Sequence, residues 1–184
     1  TGGGGAAYAV SLFARVSAAR AKFGEYGGAS LALAEQARMH PTLSALLSKT
    51  FYAGRLRPAA ATAAARTYPL PAVFVDGGGA EVRPAGGASS AASYTNAAEA
   101  EAAARVASLL VDHAGFAPSQ LAILTFFDAQ RVLLEAALAA RAESGGGASL
   151  AGVRVAVVDA DLLGCEVDIA ILSCVRAGAA GAAA

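Results

Sequence analysis

LAILTFFDAQRVLLEAALAARA, Leu121 to Ala142, is the stretch from which the fold is read. Leu121 to Thr125 is a short apolar run that closes on a hydroxyl, as a strand buried on both faces does. Two aromatic residues later, Asp128 to Ala142 carries Val132, Leu133, Leu134, Ala137 and Leu138 at helical spacing, so a long helix follows the strand almost at once. A strand feeding directly into a helix is the repeating unit of an α/β domain.

The same alternation continues in both directions. Downstream, Ser144 to Ser149 reads as a flexible connector, and Val153 to Val158 and Ile169 to Cys174 read as strands. Upstream, Asn96 has the side chain to cap a helix, and Glu99 three positions on approximates a capping box. That helix is expected to reach about His113 with Ala103, Val106, Leu109 and Leu110 inward. Ala72 to Val75, bracketed by Pro71 and Asp76-Gly77, has the pattern of a buried strand. Ala53 to Leu70 and Gly77 to Ala92 read as loops. Ser30 to Ala34 reads as a short strand, and Pro41 suits the first turn of the next helix. Ser11 to Arg20 suits an amphipathic helix with Leu12, Phe13 and Val16 on one face, ended by the glycines at Gly24 to Gly28. The expected architecture is a parallel sheet with helices on both faces, three layers deep, in which ligands gather at the carboxyl ends of the strands.

Composition narrows the function classes. With 184 residues and 56% hydrophobic content the chain can bury a sizeable core. No uncharged apolar run is long enough for a bilayer span, and TGGGGAAYAV lacks the basic region and apolar core of a signal peptide. A soluble intracellular protein of cytoplasm or nucleus, without a membrane partner, is expected. Lys+Arg 14 balances Asp+Glu 14, so any contact with nucleic acid is local. Cys165 and Cys174 have no CxxC spacing and read as buried free thiols rather than a zinc site. No metal site is expected in this chain.

Three segments lie where an expected strand ends: Gln36 to His40, Thr125 to Gln130 and Asp159 to Glu166. The first, QARMHP, is followed by TLSALLSKTFYAGRL through Leu56. This string resembles the QYRMHP motif and succeeding helix of superfamily 1 helicases of the up-frameshift and senataxin group. Arg38, Met39, His40, Pro41, Leu43, Ser44, Phe51, Tyr52, Gly54 and Leu56 match it. LTFFDAQ, Leu124 to Gln130, is similar to the family's ITPYxxQ, retaining Thr125 and Gln130. VDADLLGCEVDIAILSCVRA is similar to VDAFQGREKDxxILSCVRA, retaining Gly164, Glu166, Asp168, Ile171 to Arg176. SLF near the start and ASYTNAAEA around Asn96 fit the same spacing, so the resemblance spans Ser11 to Ala177.

The resemblance implies the second, C-terminal RecA-like domain (a P-loop NTPase-type fold) of an ATP-dependent helicase. It further implies a Gly-rich linker over residues 1–10 from a preceding motor domain, the RecA-like domain over 11–177, and an Ala/Gly tail over 178–184, with the chain cut before the last arginine-bearing motif. ATP is the implied cofactor, with Mg²⁺ held by the N-terminal RecA-like domain, and single-stranded RNA or DNA the implied track. Arg38 matches the residue that meets the γ-phosphate, a role suited to a planar, always-ionised guanidinium. Gln36, Gly164 and Glu166 match positions near the nucleotide, and Thr125, Gln130 and Ser173 match positions near the nucleic acid, where short hydroxyls suit phosphate oxygens. Plainer roles also fit: a turn cap for Glu166, a locally bonded strand-end hydroxyl for Thr125, and a structural hydrogen bond for His40. His113 is expected to be exposed.

Three departures bear on activity. Ala37 replaces the aromatic on which the family stacks adenine, a contact of about 1–3 kcal/mol. Leu163 replaces a glutamine, and no GxxxxGK[ST] occurs, Lys22 and Lys49 being the only lysines. The chain alone is therefore expected to lack ATPase activity. The alternative is a degenerate helicase-like module that binds without hydrolysing ATP.

Overall fold

The computed structural model describes residues 10–23, 32–66, 68–83, 93–143, 150–158, 162 and 164–176. The expected linker before Val10, the glycine break at 24–28, the connector at 144–149 and the tail lie outside them. The chain divides into two compact units, Thr1–Phe74 and Val75–Ala184.

In the first unit, helix α1 spans Leu12–Phe23. Its Leu12, Phe13 and Val16 are exposed, so the apolar face read from the sequence is not buried. Strand β1 is only Glu35–Gln36, paired in parallel with β2, Arg57–Pro58. Of the expected strand at Ser30 to Ala34, Ser30 and Leu31 lie outside the described residues and Ala32 to Ala34 form no strand, the pairing falling on Glu35–Gln36 instead. Arg57 N–H donates to the Ala34 carbonyl and Ala59 N–H to the Gln36 carbonyl, both at 2.8 Å, and Pro58 between them, whose nitrogen faces away from β1, is accommodated without the loss of a ladder bond. Helix α2, Pro41–Phe51, crosses between these strands, and α3, Ala60–Ala65, follows β2. Ala53 to Leu70 is therefore not simply a loop. Six consecutive residues drawn from Ala and Thr sustain a helical turn and a half without any apolar period to announce it.

At the junction of the two units, Ala72 to Val75 forms no strand. Val73, Phe74 and Val75 are exposed, Phe74 at 95%. Composition alone gave the strand pattern; strand formation requires a partner, and within the described residues none pairs with it.

The second unit holds the core. Helix α4 is Ala97–Asp112, strand β3 Leu121–Thr125, helix α5 Asp128–Glu143, strand β4 Arg154–Val157 and strand β5 Ile169–Ser173. The three strands form a parallel sheet in the order β4–β3–β5, with Thr125 opposite Val157 on one side and Ser173 on the other. This is the α/β architecture expected of a RecA-like domain. Leu121 and Ile123 of β3 pack with Leu134 and Leu138 of α5 and with a stripe of α4, Ala100, Ala103, Ala104, Ala107 and Val111. That stripe corrects the expected inward face: Leu109 is half exposed, because small alanines at helical spacing let α4 approach its neighbours closely and turn Leu109 away. Val132 of α5 is likewise exposed. On the outer side of α5, Arg131 hydrogen-bonds Asp128 at 2.9 Å and Glu135 at 2.7 Å, and these carboxylates raise its already high pKa. Among the described residues, no helix is long and apolar enough to cross a membrane. Cys165 and Cys174 are not joined in a disulfide, but Cys174 is exposed and Cys165, which accepts a hydrogen bond from Arg154 at 3.0 Å, is only half buried. Cys174 follows β5 at the sheet edge, where side chains alternate outward, and this corrects the expected burial.

Candidate functional site

In the first unit the QARMHP turn is built by its own first side chain. Gln36 Oε1 accepts the N–H groups of Arg38 at 2.8 Å and Met39 at 2.7 Å, while its Nε2 donates to the Met39 carbonyl at 3.0 Å. One carboxamide thus closes a loop that has no regular backbone pairing of its own. Arg38 is held at its crest, exposed. His40 terminates the loop: its Nδ1 accepts the Thr42 N–H at 3.1 Å and caps α2, with Pro41 in the first helical position. This bears out the structural role read for His40. Ala37 is exposed beside Arg38.

In the second unit the carboxyl ends of β3 and β5 bring together Thr125, Gln130 and Ser173. Thr125 and Ser173 are register partners on adjacent strands and both are buried. Gln130, from the first turn of α5, is fully buried and donates through Nε2 to Ser173 Oγ at 3.1 Å and to the Asn96 carbonyl at 3.0 Å. Its Oε1 accepts the Asn96 N–H at 2.8 Å. Thr125 Oγ1 accepts the Phe127 N–H at 3.4 Å, so its hydroxyl helps turn the chain from strand to helix. All three polar side chains are engaged within the protein at the sheet edge.

Asn96 links this cluster to the start of α4. Its Oδ1 accepts the Glu99 N–H at 3.1 Å, the expected cap, and its Nδ2 donates to the Gly78 carbonyl at 3.1 Å. The return half of a capping box is not made. Glu99 instead turns outward from its helix, and both its oxygens accept the Val175 N–H, at 3.1 and 3.0 Å. The Gly77–Gly79 segment is a packing element as well as a loop: a Cβ on Gly79 would stand 2.6 Å from the Ala98 Cβ and 2.7 Å from Asn96 Oδ1, and its φ is +80°.

Beyond β5 the backbone is strained. Val175 has φ 68° and is buried, and Arg176 N–H donates to the Cys174 carbonyl at 2.7 Å, closing the rare, strained form of the γ-turn. A β-branched residue held there costs about 1–3 kcal/mol. Arg176 then lies with Nε 3.1 Å from Glu81 Oε2 and its guanidinium carbon 4.8 Å from the Tyr94 ring centroid. Tyr94 in turn meets Phe127 edge to face at 5.5 Å. An aromatic and cationic surface therefore borders the buried polar cluster.

The remaining expected nucleotide positions lie between β4 and β5. Gly164 adopts φ +83° in a turn, and Glu166 is exposed. Leu163 and Asp159 to Asp161 fall outside the described residues. Gln36 and Arg38 belong to the first unit and the other five to the second. Sequence reasoning missed Glu99, Val175, Tyr94 and Arg176 as members of the sheet-edge cluster. The Asn96–Glu99 spacing was a visible signal, but a left-handed valine leaves no trace in residue type.

No curated protein matches the chain significantly. A family described as an AAA domain matches residues 8–184, nearly the whole length and across all three motif segments. The chain belongs to this AAA-domain family, as a helicase-like member of the P-loop NTPase superfamily.

Proposed function

We propose that the chain is the second RecA-like domain of an ATP-dependent RNA or DNA helicase of the up-frameshift and senataxin group. In this reading its partner is the N-terminal RecA-like domain of the same protein. The observation that carries the reading is the ordered run of motifs within a full-length family match, with the first motif folded so that Arg38 stands exposed on a rigid turn.

ATP with Mg²⁺ supplies the bond whose cleavage drives such a motor. Arg38 is the residue assigned to its γ-phosphate: a guanidinium stays ionised at every working pH and matches phosphate oxygens with a planar fork. Gln36 acts behind it, fixing the peptide groups on which Arg38 is mounted. Gly164 and Glu166 are assigned to the nucleotide, where Glu166 would accept ribose hydroxyls. Thr125, Gln130 and Ser173 are assigned to the nucleic-acid side of the sheet edge. Because all three are buried, Gln130 and Ser173 serve by shaping that edge, and Phe126, which is 53% exposed, stands next to Thr125 to meet a base. With no net charge, the chain binds single strands weakly, with a salt dependence set by the few phosphates its local cations neutralise.

In the complete protein, Arg38→Ala abolishes ATP hydrolysis and leaves folding intact; hydrolysis at the parent rate would show that Arg38 does not meet phosphate. The chain by itself gives no turnover. A second reading, a helicase-like binding module without hydrolysis, is favoured by Ala37, which exposes no aromatic face beside Arg38. The two separate on whether the complete protein hydrolyses ATP at all.

A further inference from the structure

Val175 is β-branched, buried and left-handed at φ 68°, where side-chain sterics oppose the backbone and glycine would not. Such a turn persists only when its surroundings hold it. The holder is Glu99, whose two carboxylate oxygens share the Val175 N–H at 3.1 and 3.0 Å from 76 residues away in sequence. A carboxylate acceptor makes this a charge-assisted bond, stronger than one to a neutral partner.

Glu99 is itself rigidly mounted. Its N–H is held by Asn96 Oδ1, Asn96 is bonded to buried Gln130, and the Gly77 backbone presses so close that a Cβ there would lie 3.2 Å from Glu99 Cα. Gln130 also holds Ser173, two residues before Val175. The first turns of α4 and α5, tied together through Asn96, thus each grip the end of β5 at one point. Past the turn, Arg176 reaches the Tyr94 ring and Glu81, and the Val175 dihedral sets the direction from which it does so.

We propose that Glu99 is a positioning residue: by latching the Val175 amide it fixes the left-handed turn and thereby sets where Arg176 stands against Tyr94. Its consequence for binding rests on the nucleic-acid reading of the sheet edge, whereas the latch itself does not.

The test compares the full 184-residue chain with E99A, E99Q, V175G and the double variant E99A/V175G. Two quantities are read by NMR: the exchange rate of the Val175 amide, and the ring-current displacement of the Arg176 side-chain resonances by Tyr94. E99A is expected to speed exchange about tenfold or more, the loss of one charge-assisted hydrogen bond, and to abolish the displacement. E99Q, which keeps one acceptor oxygen, falls between. V175G in the E99A background restores the displacement, since glycine takes the turn unaided. Unchanged exchange and displacement in E99A overturn the latch, and so does failure of V175G to restore the displacement. Should E99A not fold, E99Q with and without V175G carries the same comparison. Binding of a fluorescein-labelled oligouridylate is then measured: E99A and R176A should weaken it equally and not additively. If the unmodified chain does not bind the oligouridylate, the nucleic-acid reading fails while the NMR results still decide the latch.

Discussion

Gln130 and Asn96, 34 residues apart, exchange a closed pair of hydrogen bonds in which a side-chain carboxamide plays the part of a neighbouring backbone: it accepts the Asn96 N–H at 2.8 Å and donates to the Asn96 carbonyl at 3.0 Å. The start of α5 is thereby bonded to the cap residue of α4, with no water-exposed atom in the link. Gln130→Leu keeps the volume and removes both bonds to Asn96 together with the one to Ser173. It orphans a buried N–H, and the loss of roughly 1–3 kcal/mol should appear as a lower denaturant midpoint at unchanged slope. Combined with Ser173→Ala, the two losses should sum to more than the double variant shows, because both break one network.

Gly78 and Gly79 are neighbours with similar left-handed φ values, 62° and 80°, and opposite surroundings. Gly78→Ala meets open space and costs only the backbone penalty, about 1 kcal/mol. Gly79→Ala adds a collision with Ala98 and with the capping oxygen of Asn96, for roughly 1–3 kcal/mol more. Thermal melts of the two variants should therefore separate clearly, and equal midpoints would refute the close packing of this segment on α4.

His40 caps α2 through Nδ1, an acceptor that alanine lacks. His40→Ala should destabilise by about 1 kcal/mol, and His40→Asn or His40→Ser should recover most of it, since an N-cap needs an acceptor and not an imidazole. Recovery by asparagine would also separate the cap from any chemical role of the ring.

Gln36 predicts a functional variant without a folding defect. Gln36→Ala releases the Arg38 and Met39 amides at an exposed turn, so stability changes little, but Arg38 loses its mounting. If Arg38 meets the γ-phosphate as proposed, hydrolysis by the complete protein should fall on the order of 10²-fold, the usual consequence of misplacing a transition-state group by about 1 Å, with the melting temperature nearly unmoved.

Much of the second unit was legible in residues 96–173, because apolar runs of strand length and helical periods are strong local signals there. Leu121–Thr125 was read to the residue, and the helices after Asn96 and Asp128 to within one. What failed was everything that depends on a partner. Ala72 to Val75 has the composition of a strand and pairs with nothing described, while Glu35–Gln36, polar and unremarkable, pairs with β2 because the Arg57 and Ala59 amides find its carbonyls. The inward face of α4 was read correctly at Ala103 and Leu110 but not at Leu109, because close approach selected the alanines of α4. At the sheet edge, Thr125, Gln130 and Ser173 were identified by motif and do meet. Glu99 was seen only as a capping residue, and its bond to Val175 crosses too much sequence for any local pattern to show.

The order β4–β3–β5 has a consequence for how the chain is made. β3 is the central strand, yet both strands that flank it come later in the sequence. As the polypeptide leaves the ribosome, LAILT must wait with two open edges, first for α5 and β4 and then for β5. During that interval its protection comes from α4, already synthesised and carrying the alanine stripe that will cover Leu121 and Ile123. The polar residues that close the sheet, Gln130 and Ser173, can bond only once the last strand arrives, so completion of the core and assembly of its carboxyl edge are a single late event.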